Sequence, residues 1–327
     1  MKVKTCVQTS FRRSIGTLLV LLGIFMCLKI LMFTLEGSST NAVAPLDLVL
    51  APNLNYSYPI DLNETVCLKP DILLLAVVIS APQNFLKRRL IRQTWGGAMQ
   101  DSQSMNVIFF IGQSTDQSIN GLVFEESAWH QDIIQGDFQD TYLNLSQKGI
   151  FFMEWILQKR NCSQIKWILK VDDDVILNPY ELHSYIIANH RYDYKIHCKI
   201  HRKSRVQRDP SQKWCRSSNQ YPDEFYPPYC SGPMYLLSAK TIPQLVSQQR
   251  KDPDEMFSFE DIYYTGILAQ RANLNLKEYS SKLKFSFTFD VNAQTLFVIA
   301  DGLNDTFATY AFPAVWENLI NSRADLI

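Results

Sequence analysis

"KWILKVDDDVILNP", Lys166 to Pro179, is the stretch that decides the fold. Its leading run, "IKWILKV" (165–171), is mostly apolar and of strand length, the pattern of a strand buried on both faces of a parallel sheet. Three carboxylates follow at once: Asp172, Asp173 and Asp174. Like charges repel and are costly to bury without partners, so the run needs a reason. In open α/β sheets, ligands bind at the carboxyl ends of strands, and the trio stands at such an end. Asp172 and Asp174 straddle Asp173. At a tight turn both can point at one hard divalent cation, which prefers oxygen ligands and commonly adds phosphate oxygens to one or two protein carboxylates. The plain alternative is a solvated acidic loop with an Asp capping a helix over 179–188.

Working outward, the flanking text alternates strand and helix. "ILLLAVVIS" (72–80), "NVIFFIG" (106–112) and "DIIQGDF" (132–138) read as strands. "NFLKRRLIRQTWG" (84–96) and "NGLVFEESAWHQ" have helical spacing, and "TYLNLSQKGIFFMEWILQKR" (141–160) reads as a long amphipathic helix. That order implies βαβ units and an α/β sheet. The second half is less regular. A basic stretch, "KIHCKIHRKSRVQR" (195–208), precedes an aromatic, proline-rich loop, "YPDEFYPPYCSG" (221–232). An apolar piece, "PMYLLSAKTIPQLV", and an acidic turn, "FSFEDIYYTGILAQ" (257–270), follow.

Composition bounds the class. The 327 residues are 46% apolar and 12% aromatic, enough for a sizeable core. Lys and Arg number 32 and so do Asp and Glu, so net charge gives no support to a nucleic-acid role. Near the amino terminus, Lys2, Lys4, Arg12 and Arg13 precede "SIGTLLVLLGIFMCLKILMFTL" (14–35). As a helix this segment would rise roughly 33 Å, about one bilayer core. The basic flank keeps residues 1–13 cytosolic, which makes 14–35 a transmembrane anchor and the rest luminal. A cleaved signal peptide is the competing reading, since "AVA" (42–44) resembles a cleavage site; the length of the run and Pro45 argue against it. Residues 36–66 read as a stem and 67–327 as the globular domain. Asn-x-Ser/Thr acceptors at Asn55, Asn63, Asn144, Asn161 and Asn304 fit a secretory route. So do five cysteines beyond the anchor, Cys67, Cys162, Cys198, Cys215 and Cys230, which predict two disulfides and one odd thiol. Their spacing leaves the pairing open.

A membrane-anchored luminal α/β domain with Asp-x-Asp at a strand end suggests a nucleotide-sugar glycosyltransferase. Six segments sharpen this: "RRLIRQTWG" (88–96), "VIFFIG" (107–112), "DIIQGDFQDTYLNLSQKG" (132–149), "KWILKVDDDVILNP" (166–179), "YPPYCSG" (226–232) and "FEDIYYTG" (259–266). In that order they resemble the β-1,3-galactosyltransferase family, which includes β-1,3-N-acetylglucosaminyl- and N-acetylgalactosaminyltransferases. The resemblance covers about residues 67–320. It implies a GT-A-type, Rossmann-like mixed sheet flanked by helices, behind one transmembrane helix. It also implies a UDP-sugar donor such as UDP-galactose, Mn²⁺ or Mg²⁺, and a glycan acceptor on glycoprotein or glycolipid. Inversion at the anomeric carbon and residence in the Golgi membrane as a single-pass type II protein belong to the same picture.

The resemblance also distributes roles. Asp174 resembles the direct metal ligand, Asp172 meets the ribose or a metal-bound water, and Asp173 takes either part. Inverting transfer needs one base for the acceptor proton. Of Glu260 and Asp261, the second acid matches the family's usual base; both residues also suit a helix amino terminus. Arg88 and Arg92 share a helix face and either bind uracil or diphosphate, or stand on a solvated face, as Arg89 does equally well. Lys148 and Asp137 match positions near the donor, with a surface lysine and a turn residue as plain alternatives. Tyr229 and Gly232 resemble the acceptor-side wall: one offers an aromatic face to a sugar, the other lets backbone approach closely. The stretch 195–208 either closes over the leaving diphosphate or is a solvated loop. His197 and His201 are four apart, but one nearby cysteine makes a poor zinc set.

Two departures stand out. Relatives often carry a late histidine that completes the metal site, where this chain has "LFVIADGLND", with Ala300 or Asp301 at the place. "GILAQ" (266–270) also lacks a cysteine that relatives often have. These departures keep a second class of function open: a catalytically silent family member that binds glycans or escorts another transferase.

Overall fold

The computed structural model describes residues 56–62, 64–69, 71–189, 195–253, 256–279, 284–286, 295–299 and 305–324. The predicted anchor (14–35), Asn55, Asn63, Asn304 and the Ala300–Asp301 substitution lie outside the described residues. Among the described residues no helix is long and apolar enough to cross a membrane.

The apolar runs become strands. In chain order these are β1 (Leu74–Ile79), β2 (Met105–Gln113), β3 (Ile133–Gln139), β4 (Trp167–Asp172), β5 (Val175–Leu177), β6 (Lys195–Cys198), β7 (Ile200–His201), β8 (Tyr229–Cys230) and β9 (Met234–Ser238). β10 (Asn275–Glu278), β11 (Lys284–Ser286) and β12 (Thr295–Ile299) follow. Seven strands form the central sheet in the order β10-β6-β9-β4-β1-β2-β3. β1 pairs in parallel with both β2 and β4, and every residue of β1 is buried. The sheet is mixed because β9 runs antiparallel to β4 and β6.

Helices flank the sheet. Leu145–Gln158 packs on β2, β3 and the Ile242–Lys251 helix. The expected helix over 84–96 breaks at Thr94 into Phe85–Gln93 and Trp95–Asp101, the second lying on β2 and against Pro179–Ala188. Leu145–Gln158 is buried nearly all round rather than amphipathic. Its two charged residues, Lys148 and Glu154, go inside because each finds a partner: Asp140 for Lys148 and Arg250 for Glu154.

The stem was expected to run to residue 66, yet 56–62 already packs on the body. Ile60 and Ser57 carbonyls accept from Gln135 and Asp137 N–H at the edge of β3. The Tyr58 hydroxyl donates to Phe151 O, and Asp61 accepts from Trp155 Nε1 and Lys159. Arg205–Glu224 falls in a different compact unit from the segments on either side of it. Inside it, the Arg208 guanidinium donates to the carbonyls of Arg216, Tyr221 and Asp223. Two disulfides form as expected, Cys67–Cys162 and Cys198–Cys230, and the buried Cys215 joins neither.

Candidate active site

The carboxyl ends of β1, β2 and β4 lie side by side, and β9, running the other way, begins at the same edge. Asp172 N–H donates to Pro233 O at 2.9 Å, so the end of the "YPPYCSG" loop meets the Asp trio directly. Asp172 closes the strand, and Asp173 and Asp174 occupy the turn that follows, so the three carboxylates face different surroundings.

Asp173 turns inward and is buried. It accepts from Ser80 Oγ at 2.7 Å, Asn84 Nδ2 at 2.8 Å and Lys87 Nζ at 3.0 Å. A carboxylate so occupied is a fastener between β1, the loop after it and the Asp turn. The expected donor contact of Asp173 does not fit this placement. Asp172 and Asp174 are half-buried on the turn between β4 and β5. Among the described residues no group of three His, Cys, Asp or Glu side chains could hold a metal ion. The donor set that remains, two carboxylates at a strand end, fits Mg²⁺ or Mn²⁺ only with oxygens from a bound phosphate completing the shell.

Lys170 lies two residues before Asp172 on the same face of β4. Its ammonium is buried and donates to Asp172 Oδ1 at 2.5 Å and to Gly232 O at 2.7 Å. Glu260 Oε2 lies 3.7 Å away. Burial works to lower Lys170, but the charges of Asp172 and Glu260 outweigh it and hold the ammonium above the ordinary lysine value. Tyr235, the cross-strand partner of Lys170, donates its hydroxyl to Glu260 Oε1. Burial raises the Glu260 carboxyl, against the pull of Lys170. Glu260 was expected among the catalytic groups. Both its oxygens face inner partners, which makes it a support for its neighbour.

That neighbour is Asp261. It sits at the start of Ile262–Leu268, which winds as a π-helix, a form found mostly as single turns at functional sites. Asp261 Oδ1 accepts the Ile262 N–H at 2.8 Å. Its other oxygen faces Gly232 so closely that a Cβ there would lie 3.0 Å from Oδ2. Thr265 ties this turn to the loop: its hydroxyl donates to Asp261 O at 2.5 Å and accepts from Cys230 N at 2.8 Å. Burial raises the Asp261 carboxyl and the nearby Asp172 charge adds to that, while the Ile262 N–H and Lys170 oppose it. Tyr229 stands half-buried in β8 with its ring stacked on His201, centroids 5.1 Å apart.

The remaining expected residues are placed less simply. Arg88 is fully buried. It bonds Glu126, Ala81 O and Pro82 O. Arg92 pairs with Glu126 and Asp132. Both guanidiniums are engaged by protein partners: Arg88 braces the loop after β1, and Arg92 ties its helix to Glu126 and to Asp132 at the start of β3. Lys148 is also buried, its ammonium 2.7 Å from Ser80 O and 2.8 Å from Asp140 Oδ1. Asp140 in turn accepts from Gly112 N at 2.7 Å, so this pair locks the ends of β1 and β2. Burial lowers Lys148 and Asp140 counters it. Asp137 is exposed and accepts from Gln113 Nε2 at 3.0 Å. His197 is buried against Tyr185 and Trp167, away from metal chemistry. Of the glycosylation acceptors, Asn144 and Asn161 are described, each partly exposed in a turn of 3₁₀ helix. Sequence reasoning passed over Lys170 and Tyr235. A lysine inside an otherwise apolar strand, on the same face as Asp172, was the signal for the first.

Residues 86–280 match the family model described as galactosyltransferase. The chain belongs to the galactosyltransferase family. Beta-1,3-galactosyltransferase 5 of Homo sapiens is 30% identical over 225 residues, covering 68% of this chain and 71% of that protein. Lactosylceramide 1,3-N-acetyl-beta-D-glucosaminyltransferase A of Xenopus laevis is 29% identical, over 67% of this chain and 59% of its own length. Among solved structures, a glycosyltransferase involved in glycosylation of the major capsid of PBCV-1 aligns with a TM-score of 0.41 at 10% identity, covering 74% of this chain and 98% of that one. As a member of the galactosyltransferase family the chain is a hexosyltransferase. The galactosyltransferase match takes in the Asp trio, the loop through Gly232 and the Glu260–Asp261 pair.

Proposed function

We propose that this protein transfers galactose from UDP-galactose to a glycan hydroxyl in β-1,3 linkage, with inversion. The observation that carries the reading is the Asp261 carboxylate facing Gly232, beside the point where Lys170 joins Asp172 to the acceptor-side loop. In that reading the Asp172–Asp174 turn receives the donor diphosphate, and the acceptor lies along the Tyr229–Gly232 loop with its hydroxyl at the Asp261 carboxylate. Asp261 takes the hydroxyl proton as the acceptor oxygen bonds to the anomeric carbon. The bond from that carbon to the phosphate oxygen breaks on the opposite side, and its electron pair leaves with UDP. Tyr229 offers its ring to the acceptor sugar. Asp174 and Asp172, with phosphate oxygens, would hold Mn²⁺ or Mg²⁺, which would supply charge neutralisation for the leaving group.

The proposed setting is the Golgi membrane: residues 1–13 cytosolic, 14–35 spanning, and a stem that ends before Tyr56. Similarity to an N-acetylglucosaminyltransferase makes UDP-N-acetylglucosamine the second donor to try. The test is the full chain in detergent with Mn²⁺, a panel of UDP-sugars and acceptors ending in galactose or N-acetylhexosamine. Transfer from UDP-galactose with a β-1,3 product supports the proposal. Turnover with UDP-N-acetylglucosamine alone moves it to the second donor. Glycan binding without turnover of any donor rejects both.

A further inference from the structure

We infer that Lys170 is a positioning residue that couples the donor and acceptor halves of this site, fixing Asp172, Gly232 and Glu260 relative to one another. The inference rests on the transferase reading above and assigns it a component that reading does not need.

An ammonium has three donors. The Lys170 side chain is 5% exposed and faces three acceptors that come from separate places in the chain. Asp172 Oδ1 lies at 2.5 Å and belongs to the end of β4. Gly232 O lies at 2.7 Å in the loop before β9. Glu260 Oε2 lies at 3.7 Å in the segment that leads into the π-helix. The second Glu260 oxygen is taken by the Tyr235 hydroxyl, and the Tyr235 ring lies under the ammonium at 5.6 Å. One buried cation thereby sets the three chain segments that make the site.

The consequence differs on the two sides. On the donor side, Asp172 is held from behind through Oδ1 while its side chain remains 35% exposed, which leaves its other oxygen to face a ligand. On the acceptor side, Lys170 holds the Gly232 carbonyl and, through Glu260, the residue next to Asp261. The spacing between Gly232 and Asp261, which would place an added Cβ 3.0 Å from Oδ2, is set by the same group. Stability does not account for the arrangement. Buried ion pairs are commonly neutral or unfavourable against apolar residues of the same volume, and the rest of β4 is apolar apart from Asp172.

The test uses the full chain in detergent with four proteins: the parent, Lys170→Met, Lys170→Arg and Tyr235→Phe. Three quantities are read: UDP affinity in Mn²⁺ by calorimetry, the partition of donor sugar between acceptor and water, and the melting temperature. Lys170→Met is expected to weaken UDP binding about tenfold or more, the usual cost of removing a group that orients a ligand-binding carboxylate, and to shift the partition toward water. Lys170→Arg keeps the charge and is expected to retain more UDP affinity than Lys170→Met. Tyr235→Phe loosens only the Glu260 arm, so UDP affinity stays within about twofold, as for loss of one indirect hydrogen bond, while the partition still moves toward water. A folded Lys170→Met protein with the parent's UDP affinity and partition overturns the inference. So does Tyr235→Phe with the parent's partition, and that variant decides the matter if Lys170→Met fails to fold. Should the parent transfer no sugar yet lose UDP affinity on Lys170→Met, the transferase reading fails while the donor half of this inference stands.

Discussion

Replacing Asp173 with alanine should damage the fold, whereas the same change at Asp174 should damage only activity. The three neighbours of Asp173 set the magnitude. Its carboxylate accepts from Ser80 Oγ at 2.7 Å, Asn84 Nδ2 at 2.8 Å and Lys87 Nζ at 3.0 Å. Hydrogen bonds to a charged group contribute about 1.5–3 kcal/mol each. The Lys87 side chain is 23% exposed, so solvent screens that pair and it adds little. Ser80 and Asn84 then dominate, and removing their shared acceptor should cost roughly 3–5 kcal/mol. At about 2–3 °C per kcal/mol for a body of this size, Asp173→Ala should melt roughly 6–15 °C below the parent. Asp174→Ala, on a half-buried turn, should stay within about 1 kcal/mol of the parent while transfer is lost. Thermal unfolding of the parent and both variants, followed by intrinsic fluorescence, measures this. An Asp173→Ala protein that melts with the parent yet has lost UDP binding would refute the division of the trio into one fastener and two ligand-facing carboxylates.

Three further outcomes follow from the same geometry. Because burial raises the Asp261 carboxyl from its ordinary value, it becomes protonated, and useless as a base, at a higher pH than a normal aspartate. The acid limb of kcat/KM should therefore fall at a higher pH than an ordinary aspartate would give, and a pH–rate profile reads it. Gly232→Ala places a Cβ about 3.0 Å from Asp261 Oδ2. The base must shift, and transfer should drop about tenfold to a hundredfold with UDP affinity kept, as steady-state kinetics and calorimetry would show. A fragment starting at residue 67 loses the contacts of Tyr58, Asp61 and the buried Leu62. It should melt several degrees below one starting at residue 54, since burying one such apolar side chain is worth about 1.5–3 kcal/mol.

Much of the parallel half of the fold was legible because its strands are continuous apolar runs. "LLAVVI" and "WILKV" have the length and β-branched, apolar content of strands covered on both faces. The antiparallel entry of β9 was not legible, since "MYLLS" carries no mark of direction; its pairing with β4 and β6 is a long-range matter. The helix Leu145–Gln158 looked amphipathic because Lys148 and Glu154 are charged. Their partners lie outside the helix: Asp140 in the turn before it and Arg250 far along the chain, and no helical period contains either. The π-helix after Asp261 was read as a turn, as its wider winding breaks the 3.6-residue pattern. In the site, Asp172 and Asp174 follow from strand-end logic, and Asp261 from the family resemblance. The burial of Arg88 and the pairing of Arg92 depend on Glu126 and Asp132, whose proximity the sequence does not display.

The account turns on Asp261 as the base of an inverting galactosyl transfer. The direct measurement is kcat for transfer from UDP-galactose by the full chain, parent against Asp261→Asn, with UDP affinity and melting temperature taken on the same samples. The amide keeps the shape of the side chain but takes no proton. The account predicts a loss of about 10²–10⁴ in kcat, with UDP affinity unchanged and a β-linked product from the parent. Transfer by Asp261→Asn at the parent's rate would contradict it.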